Sequence, residues 1–441
     1  MTLRGAATSG PSSLSDTPLR MTRRDRFAAG LAALAVAVLL ERIRGHADWG
    51  PSEGVYALSS RLLLHGAGLY HGLIASQPPW VYLFGAVPLA IHDSLDTLRF
   101  ACGLLQVGAG LLAAEAVWRL TADRRAAIVT APLVLVTPWA VHQHGLLLPE
   151  QLGSPLLLGA ALLAARPATA RWAGLLAGVA VFAKLPFALP AAALIAASPA
   201  RGTAARWAAG AIVTQAAAFT IAFGTTFWKA IIQAQTQAGH GLEFQIGPWA
   251  QAAWNLLPLV VFALVALRLR AQANEPALVH TVAAAAMGAL VMTATIVKPG
   301  TGLNVLVPSE PLLATLAVAG VVWAVRSPMR VRAAMAAAVL ALFMLAQSAS
   351  LLLDPTDPRP FHRIASATPG WKVLRSRAEM DRLVAAARAC PPDSVYSGPP
   401  LVAFIARRHV AADQPDYFIV SRAAMYKKAF ARLQAAAPRC P

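Results

Sequence analysis

The sequence predicts an all-α polytopic membrane protein that carries a small C-terminal α/β appendage outside the membrane. Three observations lead there. The 441 residues are 57% hydrophobic and only 13% charged. A soluble domain carries roughly 25% charged residues, so too little polar surface remains to coat a water-facing core of this length. Apolar runs recur at 27–43, 101–120, 128–141, 207–227, 279–297, 333–353 and over the stretch that ends at 325. About 20 apolar residues span a hydrocarbon core, and inside lipid the backbone must satisfy itself, which makes such runs helices. Finally, the loops between the runs alternate between arginine-rich and arginine-poor.

The elements follow in chain order. Residues 1–26 form a basic tail whose Ser, Thr and Pro content predicts disorder over the first twenty. Arg20, Arg23, Arg24 and Arg26 then precede the first apolar run. No small-residue cleavage site ends that run, and Glu41-Arg42-Ile43-Arg44 follows instead, so an uncleaved first helix is expected. Basic residues favour cytoplasmic loops. They cluster at Arg119/Arg124/Arg125, Arg166/Arg171, Arg201/Arg206, Arg268/Arg270 and Arg326/Arg330/Arg332, whereas 44–78, 142–150, 228–250, 298–311 and the chain beyond 353 are rich in acids, His, Pro and Gly. The alternation puts the N-terminus inside and the C-terminal segment outside.

Two stretches must bend to keep that pattern. Residues 78–91 are apolar but short, and a crossing there would invert every later loop; they are read as a re-entrant or interfacial helix. Residues 172–198 have basic residues at both ends and Lys184-Leu185-Pro186 in the middle. Proline breaks helices and a mid-membrane lysine costs ~3 kcal/mol, so an outward-pointing helical hairpin is expected. The sum is about nine full spans plus two short hairpin arms and juxtamembrane helices, a transmembrane domain over 27–353. The region 354–441 is predicted to contain helices at 376–389, 400–407 and 422–437 and strands at 394–397 and 417–420. Cys390 and Cys440 both fall in it, on the side where disulfides are permitted. No internal repeat stands out. The net charge of +18 is explained by orientation, and no nucleic-acid partner is expected, because basic clusters without a groove-reading fold say little.

Chemistry-bearing residues concentrate in the outer loops. The first is Asp48-Trp49-Gly50-Pro51-Ser52-Glu53-Gly54-Val55-Tyr56, continuing through Gly68-Leu69-Tyr70 to Gln77-Pro78-Pro79. A carboxylate there could act as general base if it reaches an acceptor hydroxyl or amine; as a plain solvated loop its acids would be unremarked. His142 and His144 lie near Glu150, and His240 lies near Glu243. His and carboxylates bind metals, so His144, Glu150 and His240 are the candidates for a divalent-cation site, although their spacing fits no defined motif. Trp49, Trp80, Trp139, Trp228 and Trp249 fall at span boundaries, as an aromatic belt would.

Taken together, these motifs resemble the GT-C glycosyltransferases. The order is acid, then Glu53-Gly54-Val55-Tyr56, a Leu-Leu-x-Gly-x-x-Leu-Tyr stretch ending at Tyr70, and Pro78-Pro79-Trp80. More narrowly they are similar to the dolichyl-phosphate-mannose mannosyltransferase (family 39) relatives, which include the aminoarabinose transferases of bacterial lipid A. Arg99, Leu147-Leu148-Pro149-Glu150, the run from Gly174 through Gly178 and Ala180 to Lys184 and Pro186, and Lys298-Pro299-Gly300 with Asn304 and Pro308 follow in the family's order. The likeness covers residues 25–325. It implies transfer of a sugar from a polyprenyl-phosphate donor, with inversion, to a glycan, lipid or protein acceptor at the outer face of the plasma membrane. It also implies Asp48 as general base, with Glu53 beside it as a second catalytic acid. Lys184, Arg99 and Lys298 would lie on the donor phosphate, and Tyr56, Tyr70, Glu150 and Asn304 would line the acceptor cavity. Relatives often place two acids side by side, whereas Asp48 and Glu53 are five apart, so which of them is the base stays open. Asn304-Val305 stands where many relatives carry His-Tyr. A non-catalytic scaffold relative and a lipid flippase or transporter are the alternatives; transporters tend to show paired broken helices, and this chain has one.

Overall fold

The structure, a computed structural model, describes residues 21–45, 51–237, 246–297, 303–328, 330–353, 376–391, 394–410, 413–436 and 439–440. The expected disordered tail at 1–20, and Asp48, His240, Glu243 and Lys298, lie outside the described residues.

The described chain is a helical bundle. Among the described residues five helices are long and apolar enough to cross a membrane: Leu95–Thr121, Arg201–Gln237, Pro276–Thr295, Ser309–Arg326 and Arg330–Ser350. Only 11% of the apolar window of Arg201–Gln237, and likewise of Arg330–Ser350, is buried inside the protein. Side chains such as Val213, Ile221, Val339 and Leu342 stand 64% or more exposed. Apolar helices bare on this scale are at home in lipid, because water would charge roughly 25 cal/mol for each Å² they expose. The chain is thus an all-α polytopic membrane protein in its main body.

In order, α1 is Arg23–Arg44, α2 Pro51–Leu64, α3 Trp80–Ile91, α4 Leu95–Thr121, α5 Arg124–Leu135, α6 Pro138–His142 and α7 Pro149–Ala164. Then come α8 Ala170–Ala183, α9 Ala188–Ala197, α10 Arg201–Trp228, α11 Ala234–Gln237, α12 Ile246–Arg268, α13 Pro276–Met292, α14 Ser309–Arg326 and α15 Arg330–Leu353. The arginine-rich loops gather at one end. There the Glu275 carboxylate accepts from both Arg119 and Arg166, Arg326 reaches Asp123 at 3.0 Å, and Arg124 reaches Asp25 at 2.6 Å. The Glu275 bridge ties α4, the α7–α8 turn and α13 together, and the sequence reading did not anticipate it.

The stretch 172–198 forms the expected hairpin, and its packing shows how. The α8 arm runs antiparallel to α7, with Lys184 reaching Glu150 at the N-terminal end of α7. The α9 arm runs back beside it: a Cβ on Gly153 would strike the buried Phe187 ring, and the Ser198 hydroxyl donates to Ala164 O at 2.8 Å. Pro186 sits in the turn, where its missing N–H costs nothing. Gly174 and Gly178 let α8 press on α10, since a Cβ at either would fall 2.2 Å from Ala204 O or 2.8 Å from Ala208 O. Small residues four apart permit this backbone approach in membranes.

The short apolar helix α3 does not extend to the basic end. Just before it, Ser76 O accepts from Gln235 at 2.5 Å, and just after it Asp93 accepts from Arg61 of α2 at 2.8 Å. Both of its ends therefore bond to segments at the other end of the bundle.

That end also carries the C-terminal segment, with α16 Arg377–Ala389, β1 Val395–Tyr396, α17 Pro400–Ala406, α18 Tyr417–Arg422, α19 Ala424–Ala436 and β2 Arg439–Cys440. The strands pair in parallel, and Cys390 is bonded to Cys440. One expectation needs correcting: 417–420 is helical, not extended. Asp416 caps α18 by accepting from Ile419 N at 3.1 Å, and that cap overrides the strand-like Tyr-Phe-Ile-Val run. The segment docks firmly on α2. Arg61 donates to Phe404 O at 2.5 Å and lies 3.6 Å over the Phe404 ring. A Cβ on Gly54 would sit 2.2 Å from Leu401 N, so glycine is what lets α17 lie against α2 at that point.

Candidate functional site

Three of the sequence-predicted residues meet at the tip of the hairpin. The helical break places the Lys184 Nζ against Glu150 Oε1, and Asn304 Nδ2 donates to the same oxygen at 2.6 Å. Glu150 is fully buried, Lys184 is 9% exposed, and Glu150 Oε2 has no hydrogen-bond partner among the described residues. Here a carboxylate, an ammonium and an amide from three distant parts of the chain share one point. An ammonium has three donors, so Lys184 can hold Glu150 and still offer donors to an anion.

Tyr56 faces the same region. Its ring stacks edge-on to Tyr82 at 5.7 Å. Burial, with the Tyr82 phenol and the Glu150 carboxylate nearby, pushes its phenol well above the usual tyrosine range, so it acts only as a neutral hydroxyl. Tyr70, also raised well above its ordinary value by burial, donates to Gln77 O at 2.6 Å. It adopts φ +66° and packs edge-on against Phe223 and Phe227, each at 5.2 Å. Tyr70 thus anchors the loop to an aromatic cluster of α10. The C-terminal segment holds that loop from the far side: Gln414 accepts from Ile74 N at 2.7 Å and donates to Gly72 O at 2.6 Å.

Glu53 and Arg99 are placed differently from the expectation. Both are fully buried, and they form a bidentate pair, Nε to Oε1 at 2.8 Å and Nη2 to Oε2 at 2.6 Å. Arg99 Nη1 also donates to Gly45 O at 2.5 Å. With both oxygens taken, Glu53 is unsuited to lift a proton from an acceptor, and Arg99 is committed inside the protein. The pair grips Gly45 and Glu53, which flank the segment holding Asp48.

Of the metal candidates, His144 and Glu150 are among the described residues and are engaged separately. His144 Nε2 lies 3.1 Å from Ala37 O of α1, while Glu150 faces Lys184 and Asn304. Among the described residues no three His, Cys, Asp or Glu side chains gather as a metal site.

Sequence reasoning passed over Glu310. Its buried carboxylate accepts from the Thr137 hydroxyl at 2.7 Å, Trp139 N at 2.9 Å and Ala140 N at 2.7 Å, which satisfies the N-terminus of α6 from α14. Helix N-termini attract anions. The signal was present: an acid opening an apolar span, opposite a Thr-Pro helix start.

No family model and no curated protein matches the sequence. Among solved structures, the chain superposes on the crystal structure of ArnT from Cupriavidus metallidurans bound to undecaprenyl phosphate with a TM-score of 0.57 at 16% identity, over 88% of this chain and 86% of that one. The chain has the ArnT fold. The apo crystal structure of ArnT gives a TM-score of 0.58 at 16% identity, over 86% of this chain and 84% of that one.

Proposed function

We propose that the chain is a membrane glycosyltransferase that moves a hexosyl or pentosyl unit from a polyprenyl-phosphate donor to an acceptor at the outer face of the plasma membrane. The observation that carries this reading is the Lys184–Glu150–Asn304 cluster at a helix break, set in a fold whose solved representative is bound to undecaprenyl phosphate. In the reaction an acceptor oxygen or nitrogen attacks the anomeric carbon. The bond from that carbon to the phosphate oxygen breaks, and polyprenyl phosphate leaves with an added negative charge. A fixed cation aimed at that charge is the efficient form of help; we assign this role to Lys184, and Lys298 is a second candidate for it. Asp48 takes the acceptor proton. Tyr56 and Tyr70 shape the cavity wall as neutral groups. Among the described residues no ligand set for a divalent cation gathers.

The engagement of both Glu53 oxygens by Arg99 supports Asp48 as the base. Asp48→Asn is expected to lower transfer from a short-chain polyprenyl-phosphate sugar by roughly 10²–10⁴-fold, the range of general-base contributions, with donor binding retained. Full activity in Asp48→Asn would remove Asp48 as the base. Tight lipid binding without turnover in the wild type, whatever the donor sugar, would favour a scaffold or flippase instead.

Sidedness is part of the same proposal: about nine full spans and the two hairpin arms, N-terminus cytoplasmic and C-terminal segment extracytoplasmic. It is supported by the gathering of the arginine-rich loops at the end opposite Glu150. A reporter fused after Leu353 should read extracytoplasmic; a cytoplasmic reading would overturn the orientation.

A further inference from the structure

A second cavity lies away from Lys184. It occupies about 220 Å³ between the last turns of α1 and the first turns of α4. Its lower wall is apolar, with Leu34, Val38 and Leu104, and Val38 and Leu104 are 40% and 46% exposed on the outside of the bundle. Its upper wall carries the polar and charged residues Glu41, Arg42, Asp96, Arg99 and His144. The polar groups lie near the end of α1 that meets the first loop, so the cavity grades from apolar at bilayer depth to polar at the level of headgroups. That grading is amphiphile-shaped.

The hydrogen-bond inventory specifies the headgroup. His144 is 1% exposed. Its Nε2 faces a carbonyl oxygen, Ala37 O, and must therefore carry the proton. Burial favours the neutral ring, which leaves Nδ1 an acceptor, and Nδ1 has no partner among the described residues. Glu41 Oε2 is likewise buried and without a partner there. Two buried acceptors in one cavity call for a ligand that donates, and leaving such groups unmet costs roughly 1–3 kcal/mol each. Arg99, in the same wall, is bidentate on Glu53 and stands 3.9 Å from Glu41 Oε1, so Glu41 Oε2 is the carboxylate oxygen left to meet. Arg42, at the rim, offers a cation to an anionic group one step further out.

We infer that the cleft between α1 and α4 is a lipid site separate from the donor site, and that it takes a lipid with a phosphoethanolamine headgroup. Its ammonium supplies donors to Glu41 and His144, its phosphate meets Arg42, and one chain lies along Leu34, Val38 and Leu104. The site does not depend on the glycosyltransferase reading, because Glu41, Arg42 and His144 all lie outside the Lys184 cluster.

The test uses delipidated full-length protein titrated with dioleoyl phosphatidylethanolamine, phosphatidylcholine or phosphatidylglycerol and read by native mass spectrometry. The ethanolamine lipid is expected to bind roughly tenfold more tightly than the other two, the scale of a charged hydrogen bond. Glu41→Gln is expected to erase that preference. Val38→Trp, on an exposed face where folding is not at stake, is expected to block binding of all three at this site. Equal affinity for the three lipids in the wild type would overturn the assignment, as would an ethanolamine preference that survives both variants. In the same samples undecaprenyl phosphate binding should be lost in Lys184→Ala while the ethanolamine preference persists. Loss of both lipids together in that variant would overturn the separation of the sites.

Discussion

Lys184→Ala is expected to reduce transfer by roughly 10²–10³-fold, the usual consequence of removing one group that stabilises developing charge. It also leaves the buried Glu150 carboxylate with Asn304 alone, and breaking a buried pair costs about 3–5 kcal/mol. The single variant therefore mixes lost chemistry with lost stability. The double variant Lys184→Met with Glu150→Gln separates them. Both side chains keep their volume, the unpaired charge is gone, and replacing a buried pair by neutral groups is often close to neutral for stability. Thermal unfolding of the double variant should return near the wild-type value while transfer and polyprenyl-phosphate affinity stay low. Recovery of activity along with stability would mean that Lys184 serves only to neutralise Glu150, and the donor site would have to be sought elsewhere.

The hairpin that presents Lys184 was legible in the sequence, and for local reasons. Pro186 cannot continue a helix and Lys184 is costly at mid-membrane depth; Gly174 and Gly178 stand in the sequence only as part of a family-like run, and the structure gives them a close contact with Ala204 and Ala208. Position along the chain was enough to find these. The partnership of Lys184 with Asn304 was not legible: the two are far apart in sequence, and only packing brings them together. The same holds for Glu53 with Arg99 and for Glu275 with Arg119 and Arg166, where each side chain alone reads as an ordinary loop or span-end charge. The helix at Tyr417–Arg422 shows a different failure. Four aromatic and β-branched residues have strand-like propensity, but propensity is a weak prior beside a side-chain cap, and the preceding Asp416 was the residue to weigh.

Arg99→Lys is expected to behave as a severe change. Lysine cannot reproduce the fork that meets both oxygens of Glu53 and also reaches Gly45 O. The buried carboxylate would lose its bidentate partner, at a cost on the order of 3–5 kcal/mol for a broken buried pair, visible as a lowered unfolding temperature in detergent. The effect on catalysis follows from where the fork grips. Gly45 ends α1 and Glu53 lies in the first turn of α2, so Arg99 fastens both sides of the short segment that holds Asp48. Loosening either side would blur the position of Asp48, the proposed base, and small misplacements of a reacting group cost about 10²-fold. Arg99 would then be a positioning residue, and the kinetics can tell. In Arg99→Lys the turnover at saturating donor should fall while undecaprenyl phosphate affinity holds, and Glu53→Gln should show the same split. If Arg99→Lys instead weakens undecaprenyl phosphate binding and Glu53→Gln does not, Arg99 contacts the donor phosphate directly, and the ion pair seen here would have to open for the donor to bind.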